Sequence, residues 1–211
     1  MTSTDQEMAP AMALALCASF GSVARWRDHF AQCAQAHLQQ AGQASLAFDP
    51  ATGALANRWT AAPAPVDANT LLALAYPGDA AQIGAWLAGV NWALAYERYQ
   101  HLVHDASEPW AADPAQVGAG LLLDVRRAGV FEQAPSMLPA AHWRDPALVA
   151  AWGAALPKDQ PVLVYCVYGH EVGRATALRL RALGVDARFL PGGIDAWQSA
   201  GKPVQAKGGV A

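Results

Sequence analysis

Apolar side chains in the first part of the chain recur three or four residues apart in two consecutive segments. APAMALALCASF and VARWRDHFAQCAQAHLQQAG both have helical spacing. Ser22 stands between them, where a hydroxyl oxygen can cap the second helix. The pattern therefore predicts a pair of helices.

A different pattern follows. The run ASLAFDPATGALANRWTAA predicts two strands and a tight turn, because proline and glycine interrupt two mostly apolar stretches. NTLLALAY predicts a third strand, and DAAQIGAWLAGVNWALAYERYQHLVHDA again has helical spacing. The first part is therefore predicted to be α+β, with a small antiparallel sheet between helices.

The stretch SEPWAADPAQVGAG at residues 107–120 has no sustained period and separates two kinds of pattern. After it, short apolar runs alternate with helical segments, which predicts a parallel sheet covered by helices. The runs are LLLDV, VLVYC and ARFL, and the helical segments are PALVAAWGAAL and EVGRATALRLRALG. We expect an α/β protein of two domains, residues 1–106 and 118–211, joined by a linker over residues 107–117.

Composition narrows the function classes. With 54% hydrophobic and 15% charged residues, the chain of 211 residues has the composition of a globular protein. A net charge of −3 without basic clusters argues against nucleic acid or a membrane surface as partner. The first apolar run is too short to span a bilayer and follows the acidic TSTDQE, and the three cysteines make an odd number. We therefore expect a cytoplasmic protein with free thiols.

Cys166 ends the most strand-like segment, VLVYC, and is followed by the loop CVYGHE and a predicted helix. Functional groups gather at the carboxyl ends of parallel strands. Loop amides and a helix N-terminus there would stabilise a thiolate and increase its fraction near neutral pH. Such a sulfur can attack a sulfur donor and hold the transferred atom as a persulfide. A buried structural cysteine at a strand end is the alternative interpretation.

Four motifs in this part resemble the rhodanese family of sulfurtransferases, over about residues 117–205. They are LLLDVR, MLPAAHW, VLVYCVYG and FLPGGIDAWQSAGKPV. The resemblance implies a rhodanese-like α/β fold in which Cys166 is the catalytic nucleophile. It also implies an active-site loop made of Val167, Tyr168, Gly169, His170, Glu171 and Val172.

Further residues near this loop have two interpretations each. His170 either poises the thiolate and protonates a leaving group, or is merely solvated. Asp124 matches a family position near the active site and is also placed to satisfy loop amides. Arg126 and Arg174 either bring positive charge to the mouth of the site or form surface salt bridges.

The loop departs from the pattern of family members that use thiosulfate, which carry cationic loop residues. Here the loop contains the acidic Glu171, which favours a neutral or protein-bound persulfide donor. Phosphatases of related fold need an arginine six positions after the cysteine, and this chain has Val172 there. Phosphatase activity is therefore disfavoured.

The first part resembles a second family, the C-terminal α/β domain of iron and manganese superoxide dismutases, over about residues 10–105. The similar stretches are FGSVARWRDHFAQCA, LAFDPATGAL and AWLAGVNWALAYERYQ. In the family's D-x-x-x-H ligand motif, this chain has Ala75 and Asp79, and Gln43 and Ser45 replace pocket tryptophans. We therefore expect an accessory domain with no metal, used for homodimerisation or for docking a partner.

Together these observations predict a cofactor-free sulfurtransferase acting through Cys166, with thiosulfate or a persulfide as donor. Its partners would be a small sulfur donor, or a protein or thiol persulfide. Two alternatives stay open: superoxide dismutase activity of the iron and manganese type, and a non-catalytic sensor of oxidants or persulfides.

Overall fold

The computed structural model describes residues 8–62, 65 and 67–207. The chain forms two compact units, Met1–Pro50 with Ala54–Leu102, and Ala51–Gly53 with Val103–Ala211. Within the described ranges, every helix falls short of the length and apolar character that a bilayer crossing needs.

The first unit consists of paired helices, a three-stranded sheet and two further helices. The helices are α1 (Pro10–Phe20), α2 (Val23–Gln35), α3 (Ala80–Ala88) and α4 (Trp92–Ser107), of which residues from Val103 onward belong to the second unit. The strands are β1 (Gly42–Asp49), β2 (Ala54–Ala61) and β3 (Thr70–Ala75). The prediction of a helical pair, three strands and closing helices is confirmed. The Ser22 hydroxyl accepts a hydrogen bond from the Arg25 amide at 3.0 Å, so the predicted cap is also confirmed.

The sheet of this unit is antiparallel, with β1 between β2 and β3. The central strand is buried along most of its length, and aromatic side chains fill the core beside it. Trp26 meets Trp92 edge-on with ring centroids 5.1 Å apart, and Phe48 meets Tyr99 edge-on at 5.9 Å. Such edge-to-face contacts favour a specific packing arrangement.

The second unit contains a parallel sheet and a two-stranded antiparallel pair. The strands are β4 (Leu121–Asp124), β5 (Ser136–Met137), β6 (His142–Trp143), β7 (Val162–Tyr165), β8 (Ala187–Phe189) and β9 (Gln205–Ala206). The parallel sheet has the order β6-β4-β7-β8, and β5 pairs with β9. The helices are α5 (Ala128–Gln133), α6 (Val149–Gly153), α7 (Glu171–Ala182) and α8 (Gly193–Ser199). The predicted parallel sheet is confirmed.

The segment predicted as a linker contains two short 3-10 helices, Glu108–Trp110 and Pro114–Gln116. The Ala112 amide donates to the Phe189 carbonyl at 2.9 Å, which joins this segment to the end of β8. The division into two domains with a linker stays a prediction.

Strand β7 determines where the functional site lies. It pairs in parallel with β4 on one side and β8 on the other, and all four of its residues are buried. A central strand of β-branched and large apolar residues suits a sheet covered on both faces. Its carboxyl end delivers Cys166 to the edge of the sheet.

We expect Ser22→Ala to lower the free energy of unfolding by about 1 kcal/mol, because the first turn of α2 loses its side-chain acceptor. Urea unfolding followed by tryptophan fluorescence measures the change. Ser22→Asp is the matched control, since its carboxylate retains the capping oxygen. Equal destabilisation by both substitutions would contradict the capping role.

Candidate functional site

The Cys166 side chain lies at the base of the loop between β7 and α7 and is only 5% exposed. Its sulfur accepts hydrogen bonds from the backbone amides of Tyr168, Gly169, His170 and Gly173. The loop therefore curls around its own first residue, and the first turn of α7 adds a donor. This convergence of amides on one sulfur is the central feature of the site.

Two effects act on the ionisation of this thiol in opposite directions. Burial raises the pKa of the Cys166 thiol, because a thiolate would lose its hydration, and the four amide hydrogen bonds lower it. Burial has the larger effect, so the net pKa is raised. The expectation of an increased thiolate fraction in the free protein is therefore wrong: the amides only partly offset the loss of water.

Glycine is required at two positions around the sulfur. Gly169 has a φ of +68°, and a Cβ there would lie 2.5 Å from the Gly192 nitrogen. A Cβ on Gly173 would lie 3.3 Å from the Cys166 sulfur. The sequence indicated Gly169 as a loop glycine but gave no role to Gly173, which allows α7 to approach the thiol.

The first turn of α8 holds the base of the loop. The Ile194 amide donates to the Cys166 carbonyl and the Asp195 amide donates to the Val167 carbonyl, each at 3.0 Å. Gly193 has a φ of +58°, and a Cβ there would lie 2.4 Å from both of these carbonyl oxygens. The double glycine of the PGG motif therefore lets the start of α8 approach the cysteine backbone.

Asp124 and Arg126 form a buried pair beside the site. The Asp124 carboxylate accepts from the Arg126 amide at 3.0 Å, from Arg126 Nε at 2.9 Å and from the Tyr165 hydroxyl at 2.9 Å. Burial, together with the Asp124 charge, raises the Tyr165 pKa far above its usual value. Asp124 thus satisfies a backbone amide, as one interpretation of the sequence held. Arg126 is 4% exposed and paired internally rather than at the surface.

Arg174 is also buried, at 7% exposure, with its guanidinium 4.2 Å from the centre of the Phe189 ring. Its Nε donates to the Gly169 carbonyl at 3.0 Å. One terminal nitrogen donates to the Ser107 hydroxyl at 3.1 Å and to the Glu108 carboxylate at 3.0 Å. The positive charge of Arg174 is therefore matched by a carboxylate.

The outer part of the loop consists of exposed rings. Tyr168 is 55% exposed, and its ring centroid lies 5.7 Å from that of the exposed His170. Val167 and Val172 are half-buried, and Glu171 is buried as the first residue of α7. A molecule approaching the sulfur from solvent would meet this loop, which carries no lysine or arginine between Val167 and Val172.

The family comparison agrees with this geometry. The family model described as the rhodanese-like domain matches residues 107–200. We refer to residues 107–200 as the rhodanese-like domain because of this similarity. The match includes the segment with the two short 3-10 helices.

Several solved structures are similar to part of this chain. One is a rhodanese-related protein from Thermoplasma volcanium, at 23% identity over 43% of this chain and 88% of that chain, with a TM-score of 0.39. Another is the Rhodanese_3-like domain of the Alr3790 protein from Anabaena sp., at 26% identity over 41% of this chain and 99% of that chain, with a TM-score of 0.36. A third is protein hp1203 from Helicobacter pylori, at 22% identity over 47% and 92%, with a TM-score of 0.40. A search of curated proteins found no match.

We expect Gly193→Ala to lower the free energy of unfolding by about 2 kcal/mol or more. A left-handed backbone alone costs a side chain about 1–2 kcal/mol, and the contacts with two carbonyl oxygens add to that. Gly129→Ala in α5 is the matched control, because a Cβ there has nothing within 4 Å. Urea unfolding of both variants tests the prediction, and equal effects would contradict it.

Because the pKa of Cys166 is raised, we expect the rate of its alkylation to increase with pH. The rate should reach half of its maximum at a pH above about 8.5, the pKa of a free thiol. Peptide-resolved mass spectrometry after timed iodoacetamide exposure, from pH 6 to 10.5, measures the midpoint. The same shift makes folding less favourable as pH rises above about 8.5, because the unfolded thiol ionises first. A midpoint below 8.5 would show that the amides outweigh burial.

Proposed function

We propose that the rhodanese-like domain is a sulfurtransferase that carries sulfur as a persulfide on Cys166. The observation that supports this is the set of four backbone amides directed at a buried thiol at the carboxyl end of β7. Backbone donors are fixed by the fold, so they need no rearrangement when charge develops on sulfur. This arrangement suits a nucleophile that alternates between a thiol and a persulfide.

The proposed first half-reaction conserves atoms and charge. The Cys166 sulfur attacks the outer sulfur of an anionic donor persulfide, a new S–S bond forms, and the donor's S–S bond breaks. The donor leaves as a thiolate, and the proton from the Cys166 thiol ends on it. The products are the Cys166 persulfide anion and a neutral thiol. His170, exposed on the loop, is the group we propose to carry that proton.

In the second half-reaction, an acceptor thiol gives up its proton and its sulfur attacks the outer sulfur of the Cys166 persulfide anion. The enzyme S–S bond breaks, the acceptor leaves as a persulfide anion, and the Cys166 sulfur takes the proton, which restores the thiol. The scheme is ping-pong, with the enzyme as covalent carrier.

Charge around the site favours an organic or protein persulfide over thiosulfate as donor. A thiosulfate dianion needs cationic partners, and the active-site loop supplies none. The two nearby guanidinium groups, Arg126 and Arg174, are each bonded to a carboxylate, Asp124 and Glu108. A donor with a single negative charge and an organic body fits the exposed rings of Tyr168 and His170 better.

We further propose that the first unit is an accessory domain of the dismutase-like type, used for homodimerisation or for docking a protein partner. Its order of two helices, three antiparallel strands and two helices supports the resemblance. Ala75, at the end of β3, offers no metal ligand, and the Asp79 carboxylate accepts from the Gln82 amide at 2.8 Å as the cap of α3. No group of three or more candidate metal ligands occurs in the described part of the chain.

We expect wild-type protein, analysed beforehand for metal content, to gain the mass of one sulfur atom after incubation with glutathione persulfide. Gain from thiosulfate should be slower, and 3-mercaptopyruvate is the third donor to compare. Cys166→Ser should show no gain with any donor, and His170→Ala should reach the same gain about a hundredfold more slowly. Intact mass spectrometry at timed intervals makes the measurement.

Sulfur gain by Cys166→Ser equal to that of the wild type would exclude Cys166 as the carrier, because the other free cysteines, Cys17 and Cys33, would then account for the gain. A persulfide on the wild-type protein without turnover on any thiol acceptor would favour a sensor instead of an enzyme. No gain with any of the three donors would reject the proposed function.

A further inference from the structure

Arg174 is placed by the local geometry of α7. Helical side chains lean toward the N-terminus of their helix, so Arg174 extends back over the start of α7 toward the loop. Its Nε meets the Gly169 carbonyl at 3.0 Å, while its own amide bonds the His170 carbonyl at 3.1 Å. Side chain and backbone of one residue therefore hold two successive loop peptides.

The guanidinium itself is fixed from several sides. Ser107 and Glu108 bond one terminal nitrogen, and the Phe189 ring packs against the guanidinium at 4.2 Å. A planar guanidinium held in this way has little freedom to rotate. Its Nε donor therefore holds the Gly169 carbonyl in one position.

The peptide bond between Gly169 and His170 connects the hydrogen bond from Arg174 with the hydrogen bond to the Cys166 sulfur. In a planar trans peptide, the carbonyl oxygen of one residue and the amide hydrogen of the next point in opposite directions. When the Gly169 carbonyl points at Arg174, the His170 amide points away from it, and that amide donates to the Cys166 sulfur. Because glycine accepts several backbone conformations, this peptide could otherwise rotate and withdraw the donor.

We propose that Arg174 is a positioning residue that fixes the Gly169–His170 peptide so that the His170 amide stays directed at the Cys166 sulfur. The proposal deepens the proposed function and rests on it for its catalytic meaning. The arginine also polarises the peptide that it bonds, which strengthens the amide as a donor. It acts through the backbone and does not touch the donor.

A competing explanation is that Arg174 acts only through its positive charge. The positioning explanation and the charge explanation make different predictions, because Glu108 already balances the charge of Arg174. The other ionisable groups on the loop and on the elements packed against it stay constant in the comparison: Tyr168, His170, Glu171, Asp195, Tyr165, Asp124 and Arg126.

The test is the pH dependence of Cys166 alkylation by iodoacetamide, followed by peptide-resolved mass spectrometry in the full chain. We expect Arg174→Met and Arg174→Lys both to raise the midpoint by about one pH unit, which is about a tenfold slower reaction below the midpoint. Lysine keeps the charge but lacks the Nε donor of the planar group. Arg181→Met is the matched control, because Arg181 lies on the same helix and pairs with Asp186.

A wild-type midpoint in folded Arg174→Met would overturn the proposal, and so would a wild-type midpoint in Arg174→Lys, which would show that charge alone matters. Glu108→Gln provides a test if the Arg174 variants do not fold, since the Glu108 side chain is 63% exposed. If Arg174 acts by positioning, the alkylation midpoint of Glu108→Gln stays unchanged when Ser107 and Phe189 still hold the guanidinium. The midpoint rises when the guanidinium moves away from the Gly169 carbonyl. A lowered midpoint would mean that the freed charge acts directly and would overturn the proposal.

Alkylation needs no sulfur donor, so this experiment is independent of the transfer reaction. If wild-type protein forms no persulfide while both Arg174 substitutions raise the midpoint, the sulfurtransferase proposal fails and the positioning role stands. If persulfide forms normally and the midpoint does not move, only the positioning role fails.

Discussion

The carbonyl groups of Cys166 and Val167 both accept hydrogen bonds from the first turn of α8, and the sulfur site depends on those two bonds. They turn the chain out of the sheet direction immediately after β7. With these carbonyls fixed, the following amides point inward, toward the sulfur. The double glycine at 192 and 193 is the condition for this contact, because a side chain at Gly193 would occupy the space of both oxygens.

Patterns along the chain predicted the main strands and the location of Cys166, because a continuous apolar run followed by a glycine loop is a local signal. Helix α8 and the strands β5, β6 and β9 were not predicted. The strands have two residues each, and α8 begins at glycines with left-handed backbone that resemble a turn more than a helix. Short elements of this kind are stabilised by tertiary contacts rather than by their own sequence.

The burial and the partners of the site residues likewise depend on tertiary contacts that the sequence does not reveal. That Cys166 lies at a strand end could be read from neighbouring residues, but its ionisation could not, since burial is a property of the folded molecule. The role of Arg174 depends on Ser107 and Glu108, more than sixty positions earlier in the chain. Arg126 similarly finds its partners in Asp124 and the Ser136 carbonyl rather than at the surface. The residue types at the site could be identified from the chain alone, whereas their partners could not.

The position of α8 in the chain has a consequence for biosynthesis. During synthesis, β7 and the loop after Cys166 leave the ribosome before Ile194 and Asp195, whose amides hold the loop base. Gln205, which pairs with Met137, emerges later still. So does Lys207, whose ammonium group donates to the Phe131 and Glu132 carbonyls near the end of α5. The loop around Cys166 therefore reaches its final support only after these later segments have joined the second unit.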